Sequence, residues 1–252
     1  MHRAGVALLA RTVGVWLGNV SPLLLLGTAA AWRYRTRLRP LVFVAGSVIA
    51  TKLFLWPLAV WLFVTSRIRA AVLSAVLVVF GILVAWAAIG FAGMTAYPHL
   101  LINVASVGEG RGSSLVAFLI AIGIPADAAR VGAMACAAGL LVAALKLSRL
   151  SDGDERSFGL VLVAALTATP IVWAHYLLLL YVPIALLSPR FSRIWFIPML
   201  AILAPIPATH PEVWTSVPDL AIEAVIVGWL CQPLLDRRAP SAAPSAVELR
   251  PS

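Results

Sequence analysis

Two basic side chains stand in stretches whose composition otherwise leaves no room for charge. Lys52 lies in "ATKLFLWP" and His175 in "TATPIVWAHYLLLLYVPIALL", the run from residue 167 to 187. An ionisable group among apolar neighbours has to be buried in protein, line a cavity or reach an interface. A lysine ammonium is a fixed positive charge suited to an anionic head group, and a histidine beside it could share that task. Trp173 and Tyr176 flank His175 with rings that carry polar edges, which suits a sugar or phosphate head group. Each of these residues also has a plainer reading. Lys52 can snorkel from a helix end, His175 can be a hydrogen-bonded interior group, and the two rings can belong to an ordinary aromatic belt.

Acidic residues are informative by their scarcity. The ten carboxylates all follow residue 108, the first being Glu109 in the Gly-rich "GEGRG". Asp152, Asp154, Glu155, Asp236 and Glu248 fall on the same side as the basic clusters; Glu109, Asp127, Glu212 and Asp219 fall on the opposite side, and Glu223 lies within the last apolar run. No two acids lie close together in an apolar setting on this reading, so a self-contained acid/base site is not expected. Glu109 is the one candidate base, because its loop could fold over a cleft, although with Arg111 it also reads as a solvated pair. Cys136 and Cys231 both sit in apolar stretches, so neither a disulfide framework nor a metal site is expected, and no cofactor is called for.

The elements that position these residues follow from composition. The chain of 252 residues is 62% apolar and 12% charged, with a mean hydropathy of +1.00, against about 25% charged in an ordinary soluble domain. That composition predicts an all-α, polytopic transmembrane bundle in a bacterial plasma membrane, with residues 1–236 as the helical domain and the Pro-, Ala- and Ser-rich residues 237–252 as a disordered cytoplasmic tail. The net charge of +9 does not indicate nucleic-acid binding, because the arginines form short clusters between apolar runs. Candidate helices cover 4–17, 19–34, 40–51, 53–66, 69–91, 128–148, 157–169, 171–188, 194–208 and 218–235.

The basic clusters at Arg33 to Arg39, Arg67 and Arg69, Lys146 and Arg149, Arg190 and Arg193, and Arg237 and Arg238 mark cytoplasmic ends. The runs 40–66 and 157–188 then have basic residues at both ends, so each must enter and return on one side. Two helices of roughly 24 Å or less fit in each run, which predicts short broken hairpins. Lys52 falls at the turn of the first and Thr169, Pro170 and His175 at or just after the turn of the second. Residues 92–127 read as an outer loop with a helix lying at the interface.

Four stretches carry a resemblance. "GNVSPLLLLGTAAAWRYR", "AGSVIATKLFLWPLAVWLFVTSRIRAA", "GSSLVAFLIAIGIP" and "TPIVWAHYLLLLYVPIALL" occur in that order between about residues 12 and 206. Together they resemble the C-terminal portion of glycosyltransferase family 87, the polyprenyl-phosphate-mannose-dependent mannosyltransferases of actinobacteria, with the GT-C membrane fold. The resemblance implies transfer of a hexose, typically mannose, from a polyprenyl-phosphate donor to a lipid or polysaccharide acceptor on the outer face of the membrane. Carried over by position, Lys52 matches the family's lysine after a small-residue helix, and His175 the histidine of its proline-Trp-His segment, both near the donor phosphate. The resemblance also implies a carboxylate in the first outer loop, yet this chain has none before Glu109. The expectation is therefore a truncated or split member that binds donor lipid and needs a separate N-terminal half for catalysis. A transporter or lipid-flippase fragment and a non-catalytic membrane scaffold are the alternatives from other classes; the lack of paired, repeated halves speaks against the first.

This topology is testable by cysteine labelling in a chain with Cys136→Ser and Cys231→Ser. Gly110→Cys and Thr215→Cys should react with an impermeant reagent from outside intact cells, and Ser151→Cys should not. Labelling of Ser151→Cys from outside overturns the double-hairpin scheme.

Overall fold

The computed structural model describes residues 20–108, 112–150, 153–203 and 213–236, and these are helical without a strand. Ten α-helices are described: α1 (Ser21–Arg33), α2 (Leu38–Thr51), α3 (Pro57–Val64), α4 (Ile68–Ala88), α5 (Tyr97–Gly108), α6 (Leu115–Ala121), α7 (Ala126–Leu147), α8 (Gly153–Thr167), α9 (Tyr181–Leu187) and α10 (Val213–Asp236). Short 3₁₀ segments occupy Leu53–Leu55, Ala174–Leu180, Arg193–Phe196 and Pro198–Leu203. Proline sits in the first turn of α1 and of α3, where its missing N–H costs no hydrogen bond.

Helix α8 is the centre of the fold. Every residue from Ser157 to Leu166 is at most 1% exposed, so the helix is apolar and covered on all sides. Helices α7, α9, α10 and α3 pack against it. Gly159 allows two of these approaches: a methyl group there would come within 2.8 Å of Pro183 on α9 and 3.0 Å of Leu230 on α10. At the head of α8, a methyl group on Gly153 would run into the Leu147 carbonyl that ends α7.

Both central runs fold back on themselves. In the first, α2 ends at Lys52, whose backbone is extended (φ −144°, ψ 101°), and a 3₁₀ turn leads into α3. Arg67 Nε, just past α3, donates to the carbonyl of Arg35, just before α2, at 3.1 Å, so the two ends of the run meet. In the second run, Pro183 of α9 lies beside Gly159 near the start of α8, while the chain between them turns at residues 168–173.

Among the described residues, three helices are long and apolar enough to cross a membrane: Ile68–Ala88, Ala126–Leu147 and the stretch Ser216–Leu235 of α10. Only 22%, 22% and 28% of their most apolar windows are buried inside the protein. Val72, Leu73, Val76, Val79, Phe80 and Val84 of α4 all point outward, a larger apolar surface than a water-soluble chain exposes, which is consistent with membrane association.

The helices differ from the sequence expectation at several places, among them 194–203, which winds as 3₁₀, and α10, which begins at Val213 rather than 218. Helix α8 begins at Gly153 rather than 157, because its first-turn charges find partners instead of remaining in solvent. The run 171–188 is not one helix: after the break it winds as 3₁₀ and only from Tyr181 as α. Residues 92–127 are largely helical, forming α5 and α6. The candidate helix 4–17, Glu109 and the tail 237–252 lie outside the described residues.

Packing at Gly159 gives a direct test of the central role of α8. Gly159→Leu should wedge α9 and α10 away and cost about 1–3 kcal/mol, the usual range for overpacking a core. Thermal unfolding of the detergent-solubilised chain reads this as a lowered midpoint, whereas Gly139→Leu, which meets nothing within 4 Å, should leave it unchanged.

Candidate functional site

Where α2 stops, its last-turn hydroxyl, Thr51 Oγ1, turns back onto the Ser47 carbonyl at 2.8 Å, and Lys52 leaves the helix axis in an extended conformation. The half-buried Lys52 Nζ donates to Tyr176 Oη at 3.3 Å and stands 5.7 Å from the centre of the same ring. Tyr176 is buried, stacked on Phe54 with ring centres 5.1 Å apart and met edge-on by His175 at 4.7 Å. Residues 124 positions apart are thus joined at the breaks of two separate runs.

Of the residues singled out from the sequence, Lys52, His175 and Tyr176 come together. His175 is exposed, so the plainer reading of it as a hydrogen-bonded interior group does not hold. It lies close enough to Lys52 for the ammonium to act on the imidazole. Trp173 is 45% exposed at the entry to the 3₁₀ segment, on the same surface as His175. Phe54, which orients Tyr176, was not singled out from the sequence; its place two residues after Lys52 is the only signal it carries. The Lys52 ammonium, seated on a phenol beside the His175 imidazole and without a carboxylate partner among the described residues, leaves unmet demand for an anion.

The break after α8 is held by a second segment. Ser113 N donates to the Val172 carbonyl at 2.8 Å and Ser114 Oγ to the Pro170 carbonyl at 2.6 Å, while Ser114 Oγ also caps α6 by accepting from Ala117 N at 3.0 Å. Gly112 passes so close to this break that an added methyl would lie 3.1 Å from the Val172 carbonyl, and its own carbonyl accepts from Ser216 Oγ at 3.3 Å. The irregular backbone at 168–173 is therefore paired within the protein, as an apolar surrounding requires.

Beside this clasp lie two acids that the sequence reading kept apart. Asp219 falls inside α10, is completely buried, and neither of its carboxyl oxygens meets a hydrogen-bond partner among the described residues. The Ser113 side chain is near enough to act on its charge without meeting hydrogen-bond geometry. Glu223, one turn later and also buried, accepts from Thr167 Oγ1 at a long 3.4 Å, because that hydroxyl is shared with the Val163 carbonyl at 3.0 Å. The expectation that no two acids lie together in an apolar setting is thus overturned. The signal was present in the sequence as an i, i+4 spacing in an otherwise apolar helix, hidden because Asp219 was placed at the outer end of a helix starting at 218 rather than inside one starting at Val213. No group of three metal-ligating side chains occurs among the described residues. Comparison with protein-family models, with curated proteins and with solved structures found no match to this chain.

A buried carboxyl without a partner lowers stability by about 1–3 kcal/mol. Asp219→Leu, close in volume and apolar, should therefore raise the thermal midpoint of the chain. A lowered midpoint would show that Asp219 has a stabilising partner.

Proposed function

We propose that the chain is a membrane-embedded hexosyltransferase that takes its sugar from a polyprenyl-phosphate donor, with mannose the sugar the sequence resemblance suggests. The observation that carries this reading is the Lys52 ammonium seated on the Tyr176 phenol beside His175, at the breaks of two runs. Lys52 and His175 bind the donor phosphate, and Trp173 and Tyr176 meet the sugar or head group. In the reaction, the oxygen of an acceptor hydroxyl, on a lipid or polysaccharide, attacks the anomeric carbon. The bond from that carbon to the phosphate oxygen breaks, and its electron pair stays on the phosphate. Lys52 and His175 stabilise the charge that develops there.

The proton leaving the acceptor hydroxyl needs a base. Among the described residues, the acid beside the break that carries His175 is Asp219, whose unpartnered carboxyl takes this role once its cover opens to the acceptor. The same acid also favours a second reading, ion transport, because buried, unpartnered carboxyls in membrane helices mark ion and proton paths.

Native mass spectrometry with polyprenyl-phosphate-mannose, paired with a transfer assay in membranes, separates these readings. Lys52→Ala should lose donor occupancy, and Lys52→Arg should retain part of it, since charge near phosphate is the main contribution and geometry the smaller one. Asp219→Asn should keep the donor yet lose transfer by about 10²- to 10⁴-fold. Equal donor occupancy in the wild-type and Lys52→Ala/His175→Ala chains sinks the donor site. Cation flux into proteoliposomes that is lost in Asp219→Asn, without sugar transfer, selects the transport reading.

A further inference from the structure

At the opposite end of α8 from the Lys52 layer, the starts of α2 and α4 enclose a cleft of about 380 Å³, within the size range of small-molecule sites. Arg35, Arg67 and Arg69 line it together with Thr36 and Ser66, and Leu38 and Ile68 are exposed apolar residues along its wall. Helix α4, of membrane-crossing length, begins at this cleft. The cleft therefore lies at the level where a bilayer's head groups meet its hydrocarbon.

Its arginines are rigidly held but only partly satisfied. Arg67 stacks over Trp61 with its guanidinium carbon 4.8 Å from the ring centre, and Arg35 over Trp32 at 4.0 Å. Arg67 donates to Asp154 from both terminal nitrogens, at 3.3 and 2.9 Å, and from Nε to the Arg35 carbonyl. Three of its five N–H groups are thereby engaged, leaving two. Arg35 reaches the same carboxylate at 3.4 Å. One carboxylate thus serves two guanidiniums, and Arg69 has no ion pair among the described residues. The cleft keeps a net positive charge on preorganised donors.

Ser66 supplies an independent clue. It sits at φ +62°, in the left-handed region, where the turn from α3 into α4 closes by a bond from Arg67 N to the Leu62 carbonyl at 2.8 Å. Glycine is the residue such a helix end favours, and a serine there is conformationally disfavoured. A strained residue among anion-binding groups is what a functional site retains.

We infer that this cleft binds the phosphate head group of an anionic phospholipid, through Arg67, Arg69 and Ser66, with the acyl chains running along the apolar wall. Basic pockets between membrane helices bind such head groups by the same chemistry. This site is separate from the donor site, and its test does not depend on sugar transfer.

The full chain, purified in detergent, is titrated with phosphatidylglycerol or phosphatidylcholine and read by native mass spectrometry. Phosphatidylglycerol should be retained more tightly. Arg69→Gln should weaken that retention about fivefold, the factor that roughly 1 kcal/mol per arginine near a membrane surface gives. Ser66→Gly should hold or raise the thermal midpoint while also weakening retention, a combination that a purely structural serine would not produce. Arg130→Gln, at the far end of α7 and outside both sites, should leave phosphatidylglycerol binding as in the wild type. Equal retention of the two lipids, or wild-type retention in both Arg69→Gln and Ser66→Gly, overturns the inference. So does displacement of the lipid by inorganic phosphate at millimolar concentration, which would make a free anion the occupant.

Discussion

The constraint on which the rest of the structure depends is the burial of α8 from Ser157 to Leu166. Beyond its charged first turn this helix is covered on every side, so its neighbours must surround it. A helix in that position leaves unpaired N–H groups at one end and unpaired carbonyls at the other, and neither set can turn to water. At the first end, Asp154 stands in the opening turn, where the helix dipole favours a negative charge. The same carboxylate gathers Arg35 and Arg67, which fixes the ends of the α2–α3 run against it. Trp32, Trp61 and Phe158 pack directly beneath, and Trp61 Nε1 donates to Ser157 Oγ at 3.2 Å, so the polar edge of the largest ring is also paired.

The far end solves the same problem without a charge: Ala168 N, Thr169 N and Thr169 Oγ1 turn back onto the carbonyls of Ala164, Leu166 and Ala165. The chain cannot continue as helix through Pro170, and the Pro170 and Val172 carbonyls beyond it are taken by Ser114 Oγ and Ser113 N from a distant segment. That clasp accounts for the small residues of "GSS": Gly112 has no room for a side chain, and a hydroxyl short enough to reach Pro170 while capping α6 is what residue 114 supplies. Breaking a helix at this depth also turns side chains sideways, off the helix axis. Lys52 and Tyr176 meet because each follows such a break. The candidate site is in this sense a product of how two runs reverse.

Much of this was legible in the sequence, for identifiable reasons. The placement of arginines against apolar runs located both reversals, because charge and proline are local signals read residue by residue. Lys52, His175 and Tyr176 stood out for the same reason: each is a polar group in an apolar stretch. Three features were not legible. Helix α8 starts among charged residues because Asp154 and Arg156 have tertiary partners, the latter donating to the Trp229 and Leu230 carbonyls of α10. The 3₁₀ winding of Ala174–Leu180 depends on packing that no periodicity of a uniformly apolar run can encode. Asp219 was read at the outer end of a helix starting at Pro218, whereas α10 begins five residues earlier and carries the proline and the acid within its length.

The distribution of unsatisfied groups divides the molecule by chemistry. Around the head of α8 the acid is oversubscribed: one carboxylate for two guanidiniums, with a third arginine close by, leaves spare donors and calls for an anion. Around its tail the imbalance runs both ways, with Lys52 and His175 lacking an acid on one side of the break and Asp219 lacking a donor on the other. If stability alone had shaped this end, pairing Asp219 with a cation would relieve both deficits at once. The fold instead keeps them on separate helices, with Ser113 and the clasped backbone between. Keeping these groups apart lowers stability, and unmatched polar groups of this kind are retained where a site uses them, so the proposed chemistry of the chain is best sought at the tail of α8.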